Sequence, residues 1–149
     1  MKLLSCATLS ALFSLSMAAR HGVHLLSCPF PSLGPGGTPS LALVYCTDDG
    51  NCNFTPADKD FAWYGLAGTP ALFEGSNSRT FTQSGVTFSW TISTGAWKSA
   101  ATYSPVGSGN NGFDTFTGYK DDEHIMFYLG SGTEKTPCKS TFYFLANTK

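Results

Sequence analysis

Three histidines, His21, His24 and His124, are the residues in this chain best suited to moving a proton or holding a metal. Were His21 to become a chain terminus, its amine and imidazole, joined by the His124 imidazole, would form a copper-binding histidine brace, since imidazole nitrogen suits copper. Phe127 or Tyr128 stands close enough in sequence to take an axial position. Arg20 precedes His21, however, and signal peptidases cut after small residues, so a second protease would have to act. The favoured reading makes His21 and His24 outward residues at the start of a strand and expects no cofactor.

Two acidic runs come next. Asp121-Asp122-Glu123-His124 sets three carboxylates beside an imidazole. A paired-carboxylate glycosidase needs acids facing each other across a cleft in unlike surroundings, whereas neighbours in one turn are hydrated together. Asp48-Asp49-Gly50-Asn51 suggests calcium but lacks the alternating ligands and closing glutamate of an EF-hand loop. A solvated turn is the favoured reading of both. Serines are plentiful, yet no Gly-x-Ser-x-Gly elbow occurs. No catalytic residues are assigned, and a non-enzymatic protein is expected.

Recognition by aromatic rings is the remaining chemistry. Trp63, Tyr64, Trp90, Trp97 and Tyr103 are candidates for a sugar-stacking or protein-binding patch. Trp90 falls on an apolar stripe and reads as core, whereas Trp63, Trp97 and Tyr103 lie in less regular segments and are the expected binding residues. Asn53-Phe54-Thr55 is a formal N-glycosylation sequon, followed by the disfavouring Pro56.

These residues are positioned by a chain with the marks of an exported β protein. Lys2, an apolar stretch from Leu3 to Met17, and Ala18-Ala19 describe a signal peptide over residues 1–19. Residues 20–149 then form one domain of about 130 residues, enough to bury a core. Losing Lys2 leaves eight Lys plus Arg against ten Asp plus Glu. That near-neutral balance excludes the clustered cations that nucleic acid or an anionic membrane surface would demand. Charged residues are 13% of the sequence and aromatics 14%, with sixteen glycines and eight prolines, as suits an extracellular sheet protein.

Export removes Cys6 and leaves Cys28, Cys46, Cys52 and Cys138 for two disulfides. Cys28–Cys138 would join the first and last strands while Cys46–Cys52 clasps a turn, and the rival pairing is Cys28–Cys46 with Cys52–Cys138.

The alternation in Gly85–Ser93 sets Val86, Phe88, Trp90 and Ile92 against three hydroxyls, the period of a half-buried strand. Further strands are expected at 21–28, 41–46, 61–64, 71–74, 113–119, 124–129 and 141–145. Loops are expected at 31–39 and 104–112, a helical turn within 94–103, and a hairpin turn at 120–123. The sum is an all-β antiparallel sandwich or barrel of seven to nine short strands.

Several blocks resemble a group of small secreted cysteine-containing fungal proteins of candidate effector type. They are His21-Gly-Val-His-Leu-Leu-Ser-Cys28, Val44-Tyr-Cys-Thr-Asp-Asp-Gly-Asn-Cys52, Gly85-Val-Thr-Phe-Ser-Trp90, Val106-Gly-Ser-Gly-Asn-Asn-Gly-Phe113 and Tyr119-Lys-Asp-Asp-Glu-His124. The chain lacks the further cysteines that such proteins often carry near Phe81 and Phe144. The resemblance implies a fungal source and a role at a host interface, contributing to virulence, and it transfers no catalytic residue. The expected function is a secreted, monomeric binder of a host protein or cell-wall glycan. A glycan-binding module and a copper protein using His21 and His124 are the alternatives.

Overall fold

The computed structural model describes residues 20–29, 39–52, 60–65, 67–130 and 135–147. The expected signal peptide over 1–19, the Asn53 sequon and most of the 31–39 loop lie outside the described residues. The strands are β1 (Gly22–Cys28), β2 (Ser40–Cys46), β3 (Phe61–Gly65), β4 (Gly75–Thr80), β5 (Thr87–Ile92), β6 (Pro105–Asn110), β7 (Thr115–Lys120), β8 (Ile125–Leu129) and β9 (Thr136–Ala146). They form one antiparallel sheet in the order β3-β2-β1-β9-β7-β6-β5-β4, with β8 also paired to β9. The sheet curls nearly into a barrel. Its edges approach through side chains: the Tyr64 hydroxyl of β3 donates to Asn77 Oδ1 of β4 at 2.7 Å, and the Tyr64 ring packs on Phe73 and Trp90. Among the described residues, no helix is long and apolar enough to cross a membrane.

Period-two alternation decides which side chains fill the interior. Val23 and Leu25 of β1, Phe88, Trp90 and Ile92 of β5, Phe116 of β7, and Phe142 and Phe144 of β9 form one apolar cluster. Each buried Phe or Leu contributes roughly 1.5–3 kcal/mol of transfer free energy. The opposite faces of β1 and β2 are also buried, and Leu26, Ala42 and Val44 join Met126, Phe127 and the four disulfide cysteines in a second cluster. The expected both-face burial of β2 is observed. The bridges are Cys28–Cys138, tying β1 to β9, and Cys46–Cys52, closing the turn after β2. The rival pairing is therefore excluded.

The chain departs from the sequence expectation in four places. Residues 71–74 are not a strand, because Pro70 begins a 3-10 turn over Pro70–Phe73 that buries Phe73 and exposes Leu72. Gly75–Thr80 carries no apolar residue, yet it forms β4, a polar edge strand paired only with β5. Such a sequence suits an edge that faces water.

The glycine-rich 104–112 segment is not a loop but contains β6. Its glycines make room for neighbours: a Cβ at Gly109 would lie 2.6 Å from Phe88 Cζ and 3.2 Å from Phe144 Cδ1. Lastly, Lys120–Glu123 is not a hairpin turn. Strands β7 and β8 do not pair with each other but run in succession along the same side of β9, Phe116–Lys120 against Phe142–Ala146 and Ile125–Leu129 against Thr136–Lys139. The acidic link between them lies beside a bulge in β9, where the register with β1 passes from Leu25↔Phe142 to Leu26↔Ser140 and skips Thr141. The expected helical turn is α1 (Ala96–Ser99), whose amides at Gly95 and Trp97 are held by the Glu74 carboxylate at 2.6 and 2.9 Å.

Candidate functional site

Strand β1 serves two separate sites, because its alternate residues face the barrel interior and the outer surface. At the mouth of the barrel lies a cavity of about 400 Å³ with Val23, Phe81, Val86 and Phe88 in its wall and Phe113 at its rim. Val23, Phe81 and Phe88 are core residues, while Phe113 is 76% exposed. A short polar chain crosses one wall. Burial, then the charges of Asp114 and Asp60, push the Tyr45 hydroxyl above its usual pKa, so it stays protonated. That hydroxyl lies 3.1 Å from His21 Nδ1, and His21 Nε2 lies 3.6 Å from Asp114 Oδ2. The His21 ring is also edge-on to Phe116. An apolar cavity with a few converging polar groups at a barrel mouth is the usual form of a small-molecule site.

On the outer surface, His24 is 5% exposed and both its ring nitrogens are engaged. Nε2 meets Asp49 Oδ1 at 2.8 Å, and Nδ1 meets Ser140 Oγ at 2.8 Å. Asp49 reaches it from the turn after β2, which Asp48 caps by accepting from the Gly50 amide. Gly22 leaves the space, since a Cβ there would come within 2.5 Å of Asp49 Oδ1. Tyr143, directly across from His24 on β9, stacks on the imidazole and in turn on Tyr119. Burial alone would lower the His24 pKa, but Asp121 and Asp49 outweigh it and hold it above its ordinary value.

The β7–β8 link completes this cleft of about 330 Å³. Its backbone is fixed by the Asp121 amide donating to Thr141 O at 2.9 Å and the Ser140 amide donating to His124 O at 3.0 Å. Glu123 adopts a left-handed φ of +61°, uncommon for a residue with a side chain. His124 Nδ1 lies 2.6 Å from Asp122 Oδ1 and 3.4 Å from Asp121 Oδ1. The Tyr103 hydroxyl donates to Asp122 Oδ2 at 2.7 Å. That hydroxyl, followed by His124, holds the Asp122 carboxyl far below the usual range. Burial opposes ionisation of Asp121, but the neighbouring His24 and Ser140 side chains, the Asp122 amide and the His124 charge together hold its carboxyl below the usual range as well.

Ser140, His24 and Asp49 follow the hydrogen-bond order of a nucleophilic triad. Ser140 is wholly buried, so a substrate carbonyl has no approach to its hydroxyl unless the sheet opens. The arrangement is suited to fixing β1, β9 and the β2–β3 link around one imidazole.

The residues singled out in the sequence are dispersed over these features. His21 belongs to the mouth and His124 to the outer cleft, so the structure does not bring the two together as a brace would require. Trp63 sits on β3, edge-on to Phe61. Trp97 and Tyr103 both reach the acidic link, Trp97 Nε1 donating to Glu123 Oε1 at 3.3 Å and Tyr103 bonding Asp122. Sequence reasoning missed Ser140, Tyr45 and Asp114 as site residues, and it read Asp49 as part of a solvated turn, whereas Asp49 meets the buried His24. The expectation that His21 and His24 both point outward is corrected: three residues apart on an extended chain they fall on opposite faces, and His24 is buried. No family model, curated protein or solved structure matches this chain.

Proposed function

We propose that this chain is an exported, non-enzymatic binding protein of effector type, acting at a host or cell-wall surface by holding a small planar amphipathic molecule in the mouth of its barrel. The carrying observation is the 400 Å³ cavity itself. Its apolar wall suits an aromatic or aliphatic body, and the Tyr45–His21–Asp114 chain suits a ligand amine or hydroxyl at one end. Two disulfides fit the oxidising surroundings that export provides. Fluorescence titration with 1-aminoanthracene, a planar amine, tests the reading. Saturable one-to-one enhancement is expected, weakened at least about tenfold (roughly 1.4 kcal/mol) when Val86→Trp narrows the cavity. No saturable enhancement, or equal enhancement in the variant, contradicts it.

A glycan is the second reading, supported by Tyr103, 57% exposed, and Trp97 at either side of the acidic link. It predicts glycan-array binding that Trp97→Ala and Tyr103→Ala abolish; a silent array contradicts it.

A further inference from the structure

We propose that the barrel mouth selects a cation: its ligand is an apolar body carrying a protonated alkyl amine, which the Asp60 and Asp114 carboxylates receive. The proposal rests on the reading of the mouth as a small-molecule site and adds the charge its occupant must carry. Two acidic side chains alone would mean only solvated surface. Here they stand in the lining of a cavity of about 400 Å³ whose wall also contains the core residues Val23, Phe81 and Phe88. The cavity calls for an apolar body, and the carboxylates set the sign of its polar end.

Both acids are placed by the sheet. Asp60 immediately precedes β3 and Asp114 immediately precedes β7. The turn that delivers Asp114 is fixed by Asn111, whose Oδ1 accepts the Phe113 amide at 2.9 Å and the Asp114 amide at 2.7 Å. The same turn carries Phe113 to the rim, 76% exposed. Asp114 Oδ2 has His21 Nε2 at 3.6 Å. The Asp60 carboxylate is half-buried and, among the described residues, has no hydrogen bond or ion pair.

The charge around this wall has one sign. Among the described lining residues there is no Lys or Arg, and His21 is the one group able to become positive. After burial, the charges of Asp114 and then Asp60 push the Tyr45 hydroxyl above its ordinary pKa, so both fields converge on that side of the mouth. A carboxylate partly withdrawn from water is less screened and keeps more of its attraction for an ammonium group. An anionic ligand meets like charge at the same place. A neutral hydroxyl can use Tyr45, Thr47 or Asn111 but gains nothing from the two charges.

The test is isothermal titration of the oxidised protein with three probes sharing one naphthyl body: naphthylethylamine, naphthylethanol and naphthylacetate. At about pH 8, above the ordinary imidazole range, the amine should bind at least about tenfold more tightly than the alcohol, and the acetate most weakly. Asp60→Asn and Asp114→Asn should each shrink the amine-to-alcohol affinity ratio at least about threefold. Val86→Trp should weaken the amine, locating it at the mouth. The wild-type ranking of the three probes needs no variant to fold. Equal affinity for amine and alcohol, tighter binding of the acetate, or a ratio unchanged in both Asn variants overturns the proposal. The arylamine 1-aminoanthracene is uncharged at this pH, so its saturable binding beside any of those results leaves the mouth a small-molecule site without a cation preference. No saturable heat from any probe overturns both.

Discussion

His24 holds three parts of the chain together: it stacks on Tyr143 of β9, meets Asp49 from the turn after β2, and faces Ser140 and Asp121 across the bulge. Its charge therefore couples stability to pH. Its folded pKa stands above the unfolded value of 6.5, so the stabilisation is complete below that value and is lost as pH rises through the folded pKa. Asp121 and Asp122 have folded pKa values below 3.8, so their contribution is complete above that value and lost as pH falls through the folded ones. Thermal unfolding in the presence of a chelator should accordingly be highest between about pH 4 and 6.5. His24→Gln should remove the decline on the alkaline side. A wild-type melting temperature that rises from pH 6 to 8 would contradict this assignment.

At the scale of elements, β9 organises the outer cleft, because its bulge at Thr141 coincides with the break between β7 and β8 on its other side. Strand β6 is fixed by what lies over it. Gly109→Val should destabilise the fold by about 1–3 kcal/mol through forced overlap with Phe88 and Phe144. Denaturant unfolding measures this, and a variant as stable as wild type would restore the loop reading.

The same elements show what the sequence makes legible. Strand β5 is plain because Phe88, Trp90 and Ile92 alternate with hydroxyls, and β2 because its apolar run is continuous. Strands β4 and β6 are hidden, one because an edge facing water needs no apolar residue, the other because its glycines mimic a turn. The cleft is equally hidden. His24, Asp49, Asp121 and Ser140 are scattered along the chain and meet only through strand order and register. The acidic run at 121–124 was visible as a cluster, but the burial that distinguishes Asp121 from its neighbours was not.

For the whole molecule, the two bridges act on very different lengths of chain. Cys28–Cys138 spans 110 residues and Cys46–Cys52 only six. Loop-closure entropy assigns about 4–5 kcal/mol to the first and about 2 kcal/mol to the second. Replacing Cys28 and Cys138 together by Ala should therefore cost roughly twice as much in denaturant unfolding as replacing Cys46 and Cys52. Equal costs would indicate that local strain, not chain restriction, sets the contribution. The longer bridge also ties β1 to β9, the strands that separate the mouth from the outer cleft, so its loss should loosen both sites.

Chemical-shift mapping of the oxidised protein titrated with 1-aminoanthracene addresses the binding mouth most directly. The account expects saturating shifts at His21, Val23, Tyr45, Phe81, Val86 and Phe113, with His124 and Ser140 unmoved. Shifts confined to the outer cleft or to the Trp63 face, or no saturable shift at all, would contradict it.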